Sequence, residues 1–372
     1  MRKGKKIVLE LSLVSFLNDV SSEILSAILP LFLTSLGASG IAIGFVGGMR
    51  KGISKAFQLP FGYLSDKCGR RKIFVLCGYA VSAFFKFALF LSRTLPLAAT
   101  CALLERVGKG VRTSPRDAMI GDVLTKSRGE GFGIHRTFDT LGAILGAVLA
   151  FLLVTELKWD FYSVILFSAC IALFALLPFK FIPEITLRRK PKSFFASLKE
   201  LSPRFLRFML VSQIFFLGFL SYMFLLLRVN ELFGTAPTLA FYIVFNVFYA
   251  IFAIPFGRLS DAIGRKRVLS AGYLLFSLVT LGFAFAQSLL AFFALFALYG
   301  VCYAIVESNQ KAFVSDLETL RGTAMGVYNT VSGISLVVGG TLAGILWDIS
   351  HFYAFLYAFF LAFISALAIH KV

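Results

Sequence analysis

The sequence predicts an all-α, polytopic membrane protein with twelve transmembrane helices arranged as two six-helix bundles. Three observations lead there. Composition is the first: 58% of the 372 residues are hydrophobic and 15% charged, where soluble domains hold roughly half and a quarter. The second is a succession of apolar runs of about 20 residues, each long enough to cross roughly 30 Å of hydrocarbon as a helix whose backbone polar groups bond internally. The third is repetition: "LPFGYLSDKCGRRK", from Leu59 to Lys72, returns as "IPFGRLSDAIGRKR", from Ile254 to Arg267, 195 positions later.

The runs cover residues 8–35, 41–63, 73–93, 96–115, 131–154 and 160–182, then 205–232, 237–258, 268–286, 288–311, 322–347 and 352–370. The first follows a basic start like a secretory signal, but it continues past Asp19 to Leu36 without a small-residue cleavage site, so a retained first helix is expected. The second and eighth lead into the two copies of the repeated stretch, whose glycines allow a tight turn into the next helix. The fourth carries an unusual density of charge. The fifth and eleventh hold "GAILGAVLA" and "GGTLAG", where Gly142, Gly146, Gly339, Gly340 and Gly344 offer small faces for close helix packing. A basic stretch, 183–204, separates a first bundle (1–182) from a second (205–372), and no run is left over for a soluble domain.

A net charge of +18 would point to nucleic acid in a soluble protein, so its placement matters more than its size. It alternates from loop to loop. Arg2, Lys3, Lys5 and Lys6 precede the first run, Lys67, Arg70, Arg71 and Lys72 follow the second, Arg188, Arg189, Lys190, Lys192 and Lys199 fall between the sixth and seventh, and Arg265, Lys266 and Arg267 follow the eighth. The intervening loops "SLGASG", "FGTAPT" and "AQSLL" hold almost none. The positive-inside rule then puts both termini in the cytoplasm of a multi-pass protein of the cytoplasmic, or inner, membrane. Nucleic acid is not needed as a partner. The scattered cysteines, Cys68, Cys77, Cys101, Cys170 and Cys302, form neither a disulfide framework nor a thiolate metal site.

Two further echoes fall at almost the offset of the first. "RGEGFGIHRT" from Arg128 returns as "RGTAMGVYNT" from Arg321, and "RDAMIGD", ending at Asp122, is matched by "KAFVSDL" around Asp316. Three echoes in one order mean that the second half repeats the first, and six helices per repeat leave both facing the same way, the parallel arrangement of a two-bundle transporter. The pattern G-x-L-x-D-x-x-G-R-[RK], at Gly62, Asp66, Gly69 and Arg70 and again at Gly257, Asp261, Gly264 and Arg265, resembles the helix 2 to 3 loop signature of the major facilitator superfamily. The resemblance covers the whole chain. "ERVGKGVRTSPRDAMIGD" and "FLNDVSSEILSAILPLFL" are further similar to a bacterial and archaeal branch of it whose members are mostly called efflux permeases, some linked to nickel resistance. The resemblance implies two bundles related by a pseudo-two-fold axis, alternating access, and a gating role for Asp66 and Asp261 in holding and releasing the outward-facing closure. A static staple between helix ends is the alternative. It also matches Arg106 and Gly110 to the family's R-x-x-x-G pattern, where the arginine belongs to a proton-relay or structural network.

Charge inside a bilayer costs from about 2.5 kcal/mol upward, which makes each intramembrane ionisable residue a functional candidate. Asp19 and Glu23, four apart, share a face of the first helix. Together with Glu105, Asp139 and Glu307 they are the candidates for proton coupling, since burial raises a carboxyl's pKa, a nearby Lys or Arg lowers it again, and motion that separates the two changes its hold on a proton. Arg50, Lys51, Lys55, Lys109 and Arg112 are expected to line the substrate cavity, with Glu105, Lys109 and Arg112 on one stripe of the fourth helix. In the second half Tyr222, Tyr242, Asn246, Asn309 and Asn329 supply neutral polar points among aromatics. Mutual neutralisation of buried pairs, and plain aromatic packing, are the structural alternatives.

A secondary active transporter results, one that moves a small, amphipathic organic solute, anions included, by proton-coupled efflux. It is not an enzyme. No G-x-x-x-x-G-K-[ST] stretch binds ATP, and no cofactor is expected. The expected partners are the small-molecule substrate, protons and the bilayer, with the chain a monomer. Two alternatives stay open: a nickel-type divalent metal exporter and a proton-coupled importer of an organic anion. No metal site is expected, because His135, His351 and His370 are not paired with Cys or Met at ligand spacing.

Overall fold

Apolar side chains leave a chain in hydrocarbon only one local solution here, the helix, and helices dominate what forms. The computed structural model describes residues 2–123, 128–184, 201–318 and 321–372. Thirteen α-helices occur among them and no strand: α1 Arg2–Ser35, α2 Gly40–Cys68, α3 Arg71–Leu91, α4 Leu95–Val123, α5 Arg128–Phe151, α6 Phe161–Phe174, α7 Pro203–Leu217, α8 Tyr222–Phe233, α9 Thr235–Ile263, α10 Arg265–Phe285, α11 Leu289–Leu317, α12 Arg321–Ile349 and α13 His351–Ala368. A π-helical turn, Leu152–Glu156, extends α5. The linker's Arg188, Arg189, Lys190, Lys192 and Lys199 lie outside the described residues.

Ten segments are long and apolar enough to cross a membrane, α7 and α8 together forming one of them. The remaining long helices, α2 and α4, each have 29 residues and fall short only through their charge. Both run about a turn or more beyond the expected ends at 63 and 115. Apolar runs stop at the first charges, whereas the backbone hydrogen-bond ladder continues through them into the polar zone. Polar side chains start several helices: Asp160, Ser202, Ser288 and Ser350 each accept a hydrogen bond from a backbone N–H in the first turn of α6, α7, α11 and α13.

One expected helix is broken. The run 205–232 divides at Gly218–Ser221, between α7 and α8. A break deep in an apolar span strands backbone carbonyls, and here tyrosines satisfy two of them. The Tyr299 hydroxyl donates to the Leu220 carbonyl (3.1 Å) and the Tyr357 hydroxyl to that of Leu217 (2.9 Å). Ser221 then caps α8 through the Met223 N–H.

The chain forms two compact units. The first contains Met1–Leu36 and Ile53–Lys192, the second Gly37–Gly52 and Ser193–Val372. Helix α2 is therefore shared, its first half packing with the second unit and its second half with the first. In the first unit, glycines set the helix spacing: a Cβ on Gly142 would lie 2.7 Å from the Phe16 carbonyl oxygen, and one on Gly146 2.5 Å from that of Val20, so α5 lies directly on α1. In the second, Gly339, Gly340 and Gly344 of α12 meet the backbones of Leu217, Gly44 and Gly40. The Asp348 carboxylate at the end of α12 accepts the N–H groups of Gly40 (2.5 Å) and Ile41 (3.0 Å), capping α2 from another helix.

Candidate functional site

The first unit gathers charge along α1, α4 and α5. Asp19 and Glu23 sit half-buried on α1, opposite Gly142 and Gly146: Cβ atoms on those glycines would come within 3.3 Å of the Asp19 Cβ and 2.9 Å of the Glu23 Cβ. Asp19 lies within electrostatic reach of Asp139 on α5 and of Lys109, Arg112 and Arg116 on α4. Asp139 approaches the His135 ring (3.6 Å), which in turn contacts Ser12 (3.4 Å). Two carboxylates and three cations thus share one electrostatic neighbourhood inside the membrane-spanning region.

The fourth helix is arranged differently from its expected stripe. Glu105 is wholly buried and Arg112 is 2% exposed. Arg112 donates to the Ser82 hydroxyl (2.9 Å) and lies 4.4 Å over the Tyr79 ring, so it faces α3 rather than an open cavity wall. Arg106, off the stripe by helical geometry, reaches back to Glu105 (3.1 Å) and across to the Ser26 hydroxyl of α1 (2.9 Å). The long guanidinium stem covers an angular gap that periodicity alone cannot. Gly110 packs: a Cβ there would lie 2.6 Å from the Phe57 Cβ and 2.8 Å from the Ser54 carbonyl oxygen. Lys109 and Lys55 are half-buried, and Arg50 is 3% exposed.

Two further interior cations, one fully buried and one half-buried, were not among the expected candidates. Lys86 on α3 is fully buried and donates to the hydroxyls of Ser21 (2.7 Å) and Ser22 (3.1 Å). Its signal is a lone lysine inside the run 73–93. Arg116 donates to Ser15 (3.0 Å) and pairs with Asp117 (3.0 Å), beyond the expected end of its helix.

Each repeated loop builds an arginine clamp. Gly69 (φ 66°) and Gly264 (φ 98°) turn the chain through the left-handed region, and Ser65 and Ser260 donate to the Gly62 and Gly257 carbonyls, both at 2.8 Å. In the first copy Arg71, 3% exposed, bridges Asp66 (2.6 Å) and Asp122, while Arg70 is exposed. In the second, Arg265 bridges Asp261 (2.5 Å) and Asp316 (3.1 Å). The first copy is therefore clamped one residue later than expected. Arg70 stands outside α3, whereas Gly264 leads straight into Arg265 at the start of α10. The acids Asp122 and Asp316 are those of the third echo.

The second unit is aromatic. Tyr222 and Tyr242 lie 5.4 Å apart between ring centroids. Asn246 and Asn309 are buried and donate to carbonyls of their own helices, at Tyr242 (3.0 Å) and Ile305 (2.7 Å); Asn329 is buried too. Glu307 is less deep than expected, its side chain 41% exposed with Lys311 at 3.6 Å, and it accepts from the Tyr249 hydroxyl (2.9 Å). A second buried network, Tyr328 to Gln310 to Tyr273 with both hydrogen bonds at 2.7 Å, joins α10, α11 and α12.

Comparison with known proteins agrees with this architecture. The sequence profile of the Major Facilitator Superfamily matches residues 11–248 and 230–371. An uncharacterised MFS-type transporter of Methanocaldococcus jannaschii is 45% identical, covering 98% of this chain and 94% of its own length. The multidrug resistance protein MdtH of Shigella dysenteriae is 25% identical over 84% of this chain and 78% of its own. Among solved structures, an alanine variant of the nucleoside transporter NupG superposes with a TM-score of 0.84 at 16% identity, covering 98% and 99% of the two chains. The human organic anion transporter MFSD10 does so at 0.69 and 17%, with the same coverage.

Proposed function

Because this chain belongs to the Major Facilitator Superfamily, and is a membrane transporter rather than an enzyme, we propose that it moves a small amphipathic organic solute by proton-coupled efflux. The observation that carries the coupling is the charge neighbourhood of Asp19, which holds a second carboxylate, Asp139, beside Lys109, Arg112 and Arg116. A carboxyl set beside a second acid and several cations changes its hold on a proton when a cation moves away, which makes Asp19 the proposed proton carrier. Such exchange couples proton affinity to conformation, which is the requirement for a gradient to drive a cycle. The two arginine clamps act as its gates. Each must release an ion pair to let helix ends move, and the partly exposed pairs of Arg265 break more readily than the buried Arg71–Asp122 pair.

Export is favoured by the relative named for multidrug resistance. The amphipathic class is supported by charge in the first unit and aromatic rings in the second. Among the described residues no group of three or more His, Cys, Asp or Glu converges, so metal export has no site in its favour. Both termini are assigned to the cytoplasm by the loop charges, and the two repeats, 1–182 and 205–372, to the two bundles. The test is flux in proteoliposomes with ethidium and dansylglycine as amphipathic probes of opposite charge. Movement of either probe that depends on a pH gradient, and alkalinisation or acidification of the lumen when the probe moves, supports the proposal. Gradient-independent flux of both refutes proton coupling.

A further inference from the structure

Helix α2 carries Lys51 on the half that belongs to the second unit, and glycines let that half approach closely: Cβ atoms on Gly44 and Gly48 would overlap the backbone oxygens of Gly340 and Leu336, and one on Gly47 would lie 3.0 Å from the Ser221 hydroxyl. The approach delivers the Lys51 ammonium between two aromatic faces. It lies 4.5 Å from the Phe219 ring centroid and 4.7 Å from that of Tyr303, and it donates to the Tyr303 hydroxyl. Phe219 stands in the break between α7 and α8, the one place where this span gives up its helix. Both rings are braced. Phe276 stacks on Phe219 (5.2 Å), while Phe245 (5.4 Å, 83°) and Tyr249 (5.5 Å, 82°) meet Tyr303 edge to face. One turn along α11 from Tyr303 stands the carboxylate of Glu307, held by the Tyr249 hydroxyl.

We infer that the Phe219–Tyr303 cage is a binding site for organic ammonium groups, and that Lys51 is its tethered occupant, which a substrate cation displaces. The chemistry is directional. Ring faces carry the negative part of the aromatic quadrupole, so they attract a cation and repel an anion. A braced pair of faces at ammonium distance, beside a carboxylate, is therefore built for positive charge whichever molecule supplies it. A broken helix in a membrane span is also a usual place for a site, because the backbone there is no longer fully engaged within its own helix. Lys51 then sets the affinity: a foreign cation binds only to the fraction of molecules in which Lys51 has withdrawn, so its apparent dissociation constant is raised by that fraction. The inference deepens the amphipathic-solute reading and rests on it for the site's use in transport, but the cage itself is tested by binding, without flux.

The probes are benzyltrimethylammonium and phenylacetate, an aromatic cation and anion, measured by equilibrium dialysis on the purified full-length protein. Lys51→Met keeps the stem and removes the charge; it should tighten benzyltrimethylammonium binding about tenfold or more and leave phenylacetate binding unchanged or weaker. Adding Phe219→Leu to Lys51→Met should reverse the gain. The unmodified protein supplies a readout independent of variant folding: benzyltrimethylammonium should raise acetylation of Lys51 by acetic anhydride, read by peptide mass spectrometry, and phenylacetate should not. Cation binding that is unchanged or weakened in Lys51→Met, or Lys51 protected by phenylacetate and indifferent to benzyltrimethylammonium, would overturn the inference and make Lys51 an anion's counter-charge. Failure of ethidium and dansylglycine flux with the binding results intact would sink the transport reading and leave the cage standing.

Discussion

At Asp19 a single carboxylate faces both signs of charge, and the two roles open to it differ in what an amide would do. If it carries the coupled proton, Asp19→Asn keeps counterflow of probe across the membrane and loses accumulation driven by a pH gradient, since an amide has no titration to couple. If it only neutralises Lys109, the amide removes an acid that this half-buried cation is set against, and both assays fail with the fold. We expect the first outcome. The clamp gives a second residue-scale prediction. Arg71→Gln should sharply lower the melting temperature of the purified protein, because it removes the buried guanidinium that bridges Asp66 and the Asp122 side chain, 7% exposed. Arg70→Gln, in an exposed position, should not. Equal effects of the two would contradict the assignment of the clamp to Arg71. Sequence reasoning chose the glycine-adjacent arginine because the pattern repeats there. Which of two neighbouring arginines turns inward depends on where α3 starts, and no periodicity fixes that to one residue.

Helices were the legible scale. Ten apolar spans announced themselves by length and hydropathy, and α2 and α4 were still recognised because their charges sit inside runs otherwise long enough to cross. The break at Gly218–Ser221 was not, since its carbonyls are satisfied by Tyr299 and Tyr357, far away in sequence. Packing glycines were legible as small faces, and their consequence is measurable. Gly146→Ala forces a Cβ to within 2.5 Å of the Val20 carbonyl oxygen and should destabilise the first unit by about 1–3 kcal/mol, seen as a lowered melting temperature. Gly257→Ala, with nothing within 4 Å of the added carbon, should leave it unchanged. A further element-scale prediction concerns pH. Asp160 caps α6, and its hydrogen bonds from Ser163 hold its carboxyl below the usual carboxylate range. A depressed value means that the cap stabilises fully above the ordinary carboxylate pKa and is lost as pH falls through the lower folded one. Asp160→Ala should therefore cost stability at neutral pH, about 1 kcal/mol at most for an exposed cap, and the difference from the parent protein should vanish in strong acid.

For the whole molecule, the repeat was the most informative feature of the sequence. Two of its three echoes fall on one device, because the loop acid, the arginine and the acid at the end of α4 or α11 meet in both units. Charge hidden at the helix interfaces was the least legible: Lys86 and Arg112 are buried against partners on neighbouring helices, which only the assembled bundle supplies. Neither Asp19 nor Asp139 lies in a repeated stretch, so nothing in the chain pairs them before α5 lies on α1.

Proton coupling through that pair is the central claim, and flux measured against a defined gradient tests it most directly. Proteoliposomes loaded with a pH-sensitive dye, holding either the parent protein or Asp19→Asn, receive ethidium or dansylglycine with and without an imposed pH difference. Gradient-driven probe accumulation with a matching lumenal pH change is expected in the parent, and counterflow alone in the variant. Full gradient-driven accumulation by Asp19→Asn, with its lumenal pH change intact, would contradict that claim.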